Sequence, residues 1–553
     1  MFEQLETNLG WWSADGVEPS SNERDQKEAV FNIHNPFYIV RKDRKLAIGV
    51  GGTGVFGKRT ESANSLPIAA YVPACRIKSF GDPSFCADHG MLYPYVAGSM
   101  ANGISSCDMV EAMGQNGMLG FFGSAGLPIE SVESAIDRIS GHLTDGPYGF
   151  DLIHSPNDPD LEASLVELYL RRGVKLVEAS AYMDLTLPVV RYRVHGIHCD
   201  SSGDIVTPNR IIAKISRVEV ASKFFAPPPD RFLGELVSRG DITEEQARLA
   251  AQIPMAQDLT AEADSGGHTD KRPATALLPT ILALRDRMQD RFRFKQTLRV
   301  GAAGGISTPL STAAAFAMGA AYVMTGSINQ ACIESGTSED VKEMLAQAQQ
   351  GDVTMAPAAD MFEMGVTVQV LKRGTMFAMR ASKLYEAYCA FNSIQEIPAS
   401  VHTMIEKNIF HDSFENIWNE TRGYFLNSDP RQVERAESDP KHLMALIFRW
   451  YLGKTSRWAT SGEVSRRIDY QIWCGPAMAA FNEWVKSSFL EQLRHRKVVT
   501  VALNLLYGAA VIMRINNLRS QGIIFSPHLL RVVPMEQEQI KEYPWSRNRL
   551  RSI

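Results

Sequence analysis

The sequence predicts an α/β protein built on a parallel (β/α)8 TIM barrel, preceded by a β-containing extension and followed by a mainly helical region. Three observations point there. Between about residues 90 and 330, short apolar runs alternate with amphipathic stretches, the pattern of repeated strand–helix units. Eight such runs over roughly 240 residues match the count and length of one barrel. Three late runs break into glycine and hydroxyl residues: Glu262-Ala-Asp-Ser-Gly-Gly-His-Thr-Asp270, Arg299-Val-Gly-Ala-Ala-Gly-Gly-Ile-Ser-Thr308 and Tyr322-Val-Met-Thr-Gly-Ser-Ile-Asn329. Loops of this kind at the carboxyl ends of barrel strands are where a phosphate-bearing ligand is held.

The elements follow in order. Residues 1–75 form an extension that is polar at first and then carries a strand pair, Phe37–Arg41 and Lys45–Val50. The barrel occupies residues 76–350. Its predicted strands are Tyr93–Ala97, Met118–Phe122, Gly149–Ile153, Lys175–Glu178, Ile211–Ile215, Leu259–Glu262, Leu298–Ala302 and Tyr322–Thr325, with helices at Cys107–Asn116, Leu161–Arg172, Ala276–Met288 and Leu310–Met318 among them. Residues 223–257 exceed an ordinary connection, carry Pro227-Pro-Pro229 and a charged helical piece at Thr243–Gln252, and read as an insertion near the barrel mouth. From 351 to 553, Met, Ala, Tyr and Trp at helical spacing predict a mainly helical C-terminal domain.

Composition narrows the class. At 553 residues, 45% hydrophobic and 22% charged, the chain has the balance of a globular protein of two or three domains. A net charge of −5 argues against a general nucleic-acid binder. Seven scattered cysteines with no Cys-x-x-Cys pair fit a reduced, cytoplasmic setting, and the acidic N-terminus has no secretory pattern. The longest apolar run, Val498–Met513, contains Asn504 and reads as a buried helix rather than a membrane span.

The candidate site lies in the late loops. Ala303-Gly304-Gly305 lets a ligand approach the main chain, with a helix starting at Pro309, and Thr325-Gly326-Ser327 adds further N–H groups and hydroxyls. His268 follows Gly266-Gly267 at the exit of strand 6, where an imidazole can donate a hydrogen bond or a proton, or serve structure alone. Lys214, a charge inside an apolar strand, faces either a bound anion or electron-rich ring, or a carboxylate such as Glu178 or Asp151 across the mouth. Gly98-Ser99-Met100-Ala101 after strand 1 leaves room for a flat ligand. Gly49-Val-Gly-Gly-Thr-Gly54 fits a dinucleotide pattern, but no amphipathic helix follows, so it is not read as a Rossmann site. His195-Gly-Ile-His-Cys-Asp200 lacks a second ligand pair and reads as a turn.

At these residues the chain resembles the flavin-dependent 2-nitropropane dioxygenase / nitronate monooxygenase superfamily, through Gly266-Gly267-His268, Ala303-Gly-Gly-Ile306 and Thr325-Gly326. Val177-Glu-Ala-Ser-Ala181, Ala213-Lys-Ile-Ser-Arg217 and Arg380-Ala-Ser-Lys-Leu-Tyr385 narrow the resemblance to its PfaD-type trans-acting enoyl reductases. The resemblance implies an FMN cofactor, NADPH or NADH as reductant, and reduction of an enoyl thioester on an acyl carrier protein of a fatty acid or polyketide synthase. It implies His268 and Lys214 as catalytic residues, with Gly98, Ser99, Met100, Asp151, Lys214, Gly266, Gly267, Gly304, Gly305, Thr325 and Gly326 about the cofactor. It implies no nucleic acid and no membrane, and it allows a homodimer. The alternative within the superfamily is oxidation of a nitronate. One departure stands out: Asp151 occupies a position where the superfamily often has Asn, so its side chain is expected to point elsewhere or to hydrogen-bond through Asn157.

Overall fold

The computed structural model describes residues 8–57, 65–144, 146–155, 159–526 and 531–542. Eight parallel strands close into a barrel in sequence order: β1 (Tyr95–Ala97), β2 (Leu119–Phe122), β3 (Tyr148–Ile153), β4 (Leu176–Ser180), β5 (Arg210–Ile215), β6 (Asp258–Glu262), β7 (Arg299–Ala303) and β8 (Val323–Thr325). Each lies within a few residues of its predicted range. Strands buried on both faces carry near-continuous apolar runs, which is why they are legible. Helices Cys107–Gln115, Pro159–Arg172, Ala274–Phe292 and Pro309–Ala317 pack around them.

The strand pair Phe37–Lys42 and Lys45–Val50 belongs to a five-stranded antiparallel sheet completed by Leu66–Val72, Gly10–Ser13 and Thr53–Phe56. Gly49–Gly54 forms the bend between two of these strands, so no nucleotide loop is present there. The apolar helix Val498–Ser520 is long enough to cross a membrane, yet 94% of its most apolar stretch is buried inside the molecule. It packs on helix Pro309–Ala317 and on strand Leu66–Val72. Its buried Arg514 donates to the carbonyls of Ala29, Val30 and Pro73, and its Tyr507 hydroxyl donates to that of Phe31. These bonds fasten the N-terminal extension to the barrel through the far end of the chain.

The C-terminal region is mainly helical, as expected, and also carries two strands, Val353–Pro357 and Thr367–Leu371, which pair with each other and, through the second, with Gly267–His268 in a small antiparallel sheet. Two expectations need correction. Residues 351–553 do not share one core: Phe362, Phe377, Phe410, Phe448 and Tyr451 make a separate cluster, whereas residues 498–518 pack into the barrel core. Finally, residues 223–257 do not approach the mouth. Helices Asp230–Arg239 and Glu244–Ala250 pack against Leu187–Val194 on the outer ring, burying Leu233, Leu236 and Leu249 there. Arg191 pairs with Asp241 at 2.9 Å, and the buried Arg193 donates to Pro254 O, which pins the insertion to the side of the barrel.

Candidate active site

A cavity of about 510 Å³ opens at the carboxyl ends of the barrel strands. Every residue expected at the site lines it: Gly98, Ser99 and Met100 after β1, Asp151 on β3, Lys214 on β5, Gly266, Gly267 and His268 after β6, Gly304 and Gly305 after β7, and Thr325 and Gly326 at the end of β8. The C-terminal region supplies the roof, through Asp360, Leu452, Ser456, Arg457 and Trp473.

At the β7 and β8 ends, the backbone N–H groups of Gly304, Gly305 and Gly326 donate to no protein acceptor among the described residues. A Cβ built on Gly326 would meet nothing within 4 Å, so open space stands in front of it. All three glycines line the cavity, and unpaired N–H groups there are what an anionic group needs. The helix beginning at Pro309 contributes less than expected. Its first turn is already closed by a capping box between Thr308 and Ser311, and no residue of the helix lines the cavity. The Thr325 hydroxyl is likewise committed, to Tyr95 Oη at 2.8 Å and to Asn329.

Lys214 has both of the settings the sequence left open: its side chain lines the cavity, and it faces carboxylates. Its Nζ is 3.5 Å from Glu178 Oε2 and 3.8 Å from Glu262 Oε1. Burial alone would push its proton off, but Glu178, then Glu262 and Asp151, hold the ammonium well above its ordinary range. Glu178 Oε2 also accepts from the Ser99 N–H at 3.0 Å and from the Ser99 hydroxyl. Asp151 is buried and lines the cavity, so it does not point elsewhere; Asn157 lies outside the described residues.

His268 stands on the loop between β6 and the helix from Ala274. Its Nε2 lies 3.2 Å from Asp360 Oδ1. Burial would lower the imidazole's proton affinity; the bond to Asp360 and its charge, followed by Glu262, reverse this and raise it. The ring is therefore biased toward the imidazolium, the form that can act as an acid. The loop itself is clamped. Gln369 donates to Asp264 Oδ1 and Ser265 O, while Gly266 packs so closely on Cys474 and Gly475 that a Cβ would come within 2.8 Å of Cys474 N. Asp360, Gln369 and Trp473 carried no sequence signal. They lie roughly a hundred residues or more from the loop they serve; the antiparallel pairing of Gly267–His268 with Val368–Gln369 brings Gln369 to it, and a bridge between Val370 and Trp473 adds Trp473.

Known proteins resemble this chain. Residues 84–396 match the nitronate monooxygenase family, and residues 391–470 match the inserted helical domain of acyl-carrier-protein S-malonyltransferase. The chain is 43% identical over 514 residues to a polyunsaturated fatty acid synthase subunit of Thraustochytrium sp., covering 92% of this chain and 34% of that protein. It is 45% identical over 437 residues to the polyketide biosynthesis protein PksE of Bacillus subtilis, covering 79% of this chain and 57% of that one. The chain thus spans about a third and just over half of these two relatives. The crystal structure of the enoyl reductase domain of MlnA, from the macrolactin biosynthesis cluster of Bacillus amyloliquefaciens, superimposes with a TM-score of 0.77 at 40% identity, covering 80% of this chain and all of that domain.

Proposed function

The chain belongs to the nitronate monooxygenase family, on its PfaD-type enoyl reductase branch, and from that premise we propose that it reduces the 2,3 double bond of enoyl thioesters presented by an acyl carrier protein. In this reading it uses FMN and NADPH or NADH and acts with a cytoplasmic polyunsaturated fatty acid or polyketide synthase. The observation that carries the proposal is that the paired His268 and Asp360 line the same cavity as backbone N–H groups without a protein acceptor among the described residues.

FMN, when bound, would supply hydride chemistry between a nicotinamide and the β-carbon of the enoyl thioester. The chain's own groups would do the rest. Gly304, Gly305 and Gly326 would hold its phosphate through their N–H groups. Lys214 would supply positive charge to balance the electrons gained. His268, kept protonated by Asp360, gives its proton to the α-carbon as negative charge develops on the thioester, and the clamp on residues 265–268 fixes the imidazole against drift. The roof of Leu452, Ser456 and Trp473 leaves a mouth that an extended thioester arm can enter.

The test is spectroscopic. Purified protein reconstituted with FMN is reduced anaerobically with NADPH and then mixed with a crotonyl thioester. Bleaching of the flavin bands by NADPH and their return with the thioester support the proposal. Return only with oxygen or a nitronate would favour nitronate oxidation, and no flavin binding at all would overturn both.

A further inference from the structure

Below the cavity, at the ends of β3 to β6, three carboxyl groups surround a single ammonium. Asp151 and Glu178 are register partners on adjacent strands, and Lys214 stands between Glu178 and Glu262. Asp151 and Glu178 are 3% and 0% exposed. Ser99 satisfies Glu178 Oε2, but Asp151 Oδ1 and Glu178 Oε1 have no hydrogen-bond donor among the described residues. With every group ionised, this floor would hold two uncompensated negative charges in a buried site, which is costly enough to force protonation. A proton placed on one carboxyl removes a charge and supplies a donor that the neighbouring oxygens lack. Among the described residues these groups do not form a metal-ligand set.

We propose that Asp151 and Glu178 share one proton, and that Asp151 takes up or releases a proton as charge changes on the ligand above it, so that flavin binding at this site is linked to proton uptake. The inference rests on the flavin reading given above. The other groups facing Asp151 agree with it. Burial, and then the Glu178 charge, push its carboxyl up to about 7 against the pull of Lys214. Glu262, beyond Lys214, is raised as well, by burial first. Tyr169, which donates to the Asp151 carbonyl at 2.7 Å, and Tyr182 are both kept neutral by burial and do not compete for the proton. Asp151, buried beside its register partner Glu178 and lining the cavity, is thus a carboxyl of the floor placed to exchange a proton as the ligand above it changes charge. A floor that can change charge by one proton keeps the cavity close to neutral when a bound ring gains electrons.

Two measurements test this. Infrared spectra of the flavin-free protein, recorded between about pH 5 and 9, should show a protonated-carboxyl C=O band that disappears as pH rises through about 7. Asp151→Asn should abolish the titrating band, and Glu178→Gln, by removing the neighbouring charge that raises the Asp151 carboxyl, should move its disappearance to lower pH than in the wild type. Calorimetry of FMN binding at neutral pH, in buffers of different ionisation enthalpy, should show net proton uptake that is lost in Asp151→Asn. No titrating band in the wild type, or the same band in both variants, would overturn the shared proton. Proton uptake unchanged in Asp151→Asn would overturn the linkage. Failure of FMN to bind while the band remains would strike at the flavin reading instead and leave the shared proton standing.

Discussion

Replacing Asp360 by Asn removes the charge beside His268 and leaves the shape of the contact nearly unchanged. The pair is 3.2 Å apart, with side chains 34% and 45% exposed. Coulomb's law at that distance gives about 5 kcal/mol for an effective dielectric near 20 and about 1.3 kcal/mol in water. With both side chains more than a third exposed, solvent screening puts the loss at the lower end, about 1.4 kcal/mol, or roughly a factor of ten in the imidazolium population. The sign follows from the charge. Asp360 favours the protonated ring, so its loss makes the proton leave at lower pH. The expected result is a rate of flavin reoxidation by a crotonyl thioester that falls about tenfold above neutrality and hardly at all in mild acid, where the ring stays protonated in both proteins. Stopped-flow measurement of the pre-reduced enzyme across that range reads this directly. A profile in Asp360→Asn that coincides with wild type, at unchanged thermal stability, would refute the reasoning and release His268 from the role of acid.

Other outcomes follow from the same geometry. Lys214→Met leaves Glu178 and Glu262 facing each other without their counter-charge; urea unfolding of the flavin-free protein should show a loss of about 3 kcal/mol at slightly alkaline pH, shrinking as the carboxylates protonate in acid. Gly326→Val puts a side chain into open space at the β8 end, so FMN affinity measured by fluorescence quenching should fall at least about tenfold, while the melting temperature of the flavin-free protein barely moves. At the opposite end of the barrel, Asp258 binds Arg299 at 2.6 Å and His89 at 2.9 Å. Burial raises its carboxyl, but His89 and Arg299 together bring it below the ordinary range. Its contribution is therefore present above the unfolded-state pKa and is lost as pH falls through the lower folded value. Asp258→Asn should cost about 3 kcal/mol at neutral pH and flatten the acid limb of the stability profile, followed by circular dichroism.

The barrel could be read from the sequence because its signals are local. A run such as Ile211-Ile-Ala-Lys-Ile215 states by itself that it is buried, and Lys214 within it states that something charged is near. The glycine loops were equally plain, since their residue types are demanded by the backbone they form. Asp360 was not legible, because an aspartate in a Met- and Ala-rich segment looks like any surface residue until the chain folds back over the mouth. Strands Val353–Pro357 and Thr367–Leu371 were missed in a region otherwise at helical spacing: they pair with each other, and the second is anchored to a two-residue strand, Gly267–His268, roughly a hundred residues earlier. The length of 223–257 reads as an insertion, but its position after β5 suggested the mouth, whereas its helices lie on the outer ring. The apolar faces of its helices, not their position after β5, decided that.

The clamp on Gly266 also sets a schedule. A ribosome delivers the eight strands first, then the strands that hold Gln369, and only afterwards Cys474 and Gly475, against which Gly266 is pressed. A barrel emerging without that last strap has its histidine on a loop held at one edge only. The fixed position of His268 thus arrives late in synthesis, after the chain has laid its own roof, and a fragment ending before residue 475 would have the barrel's strands without this strap on the loop that carries it.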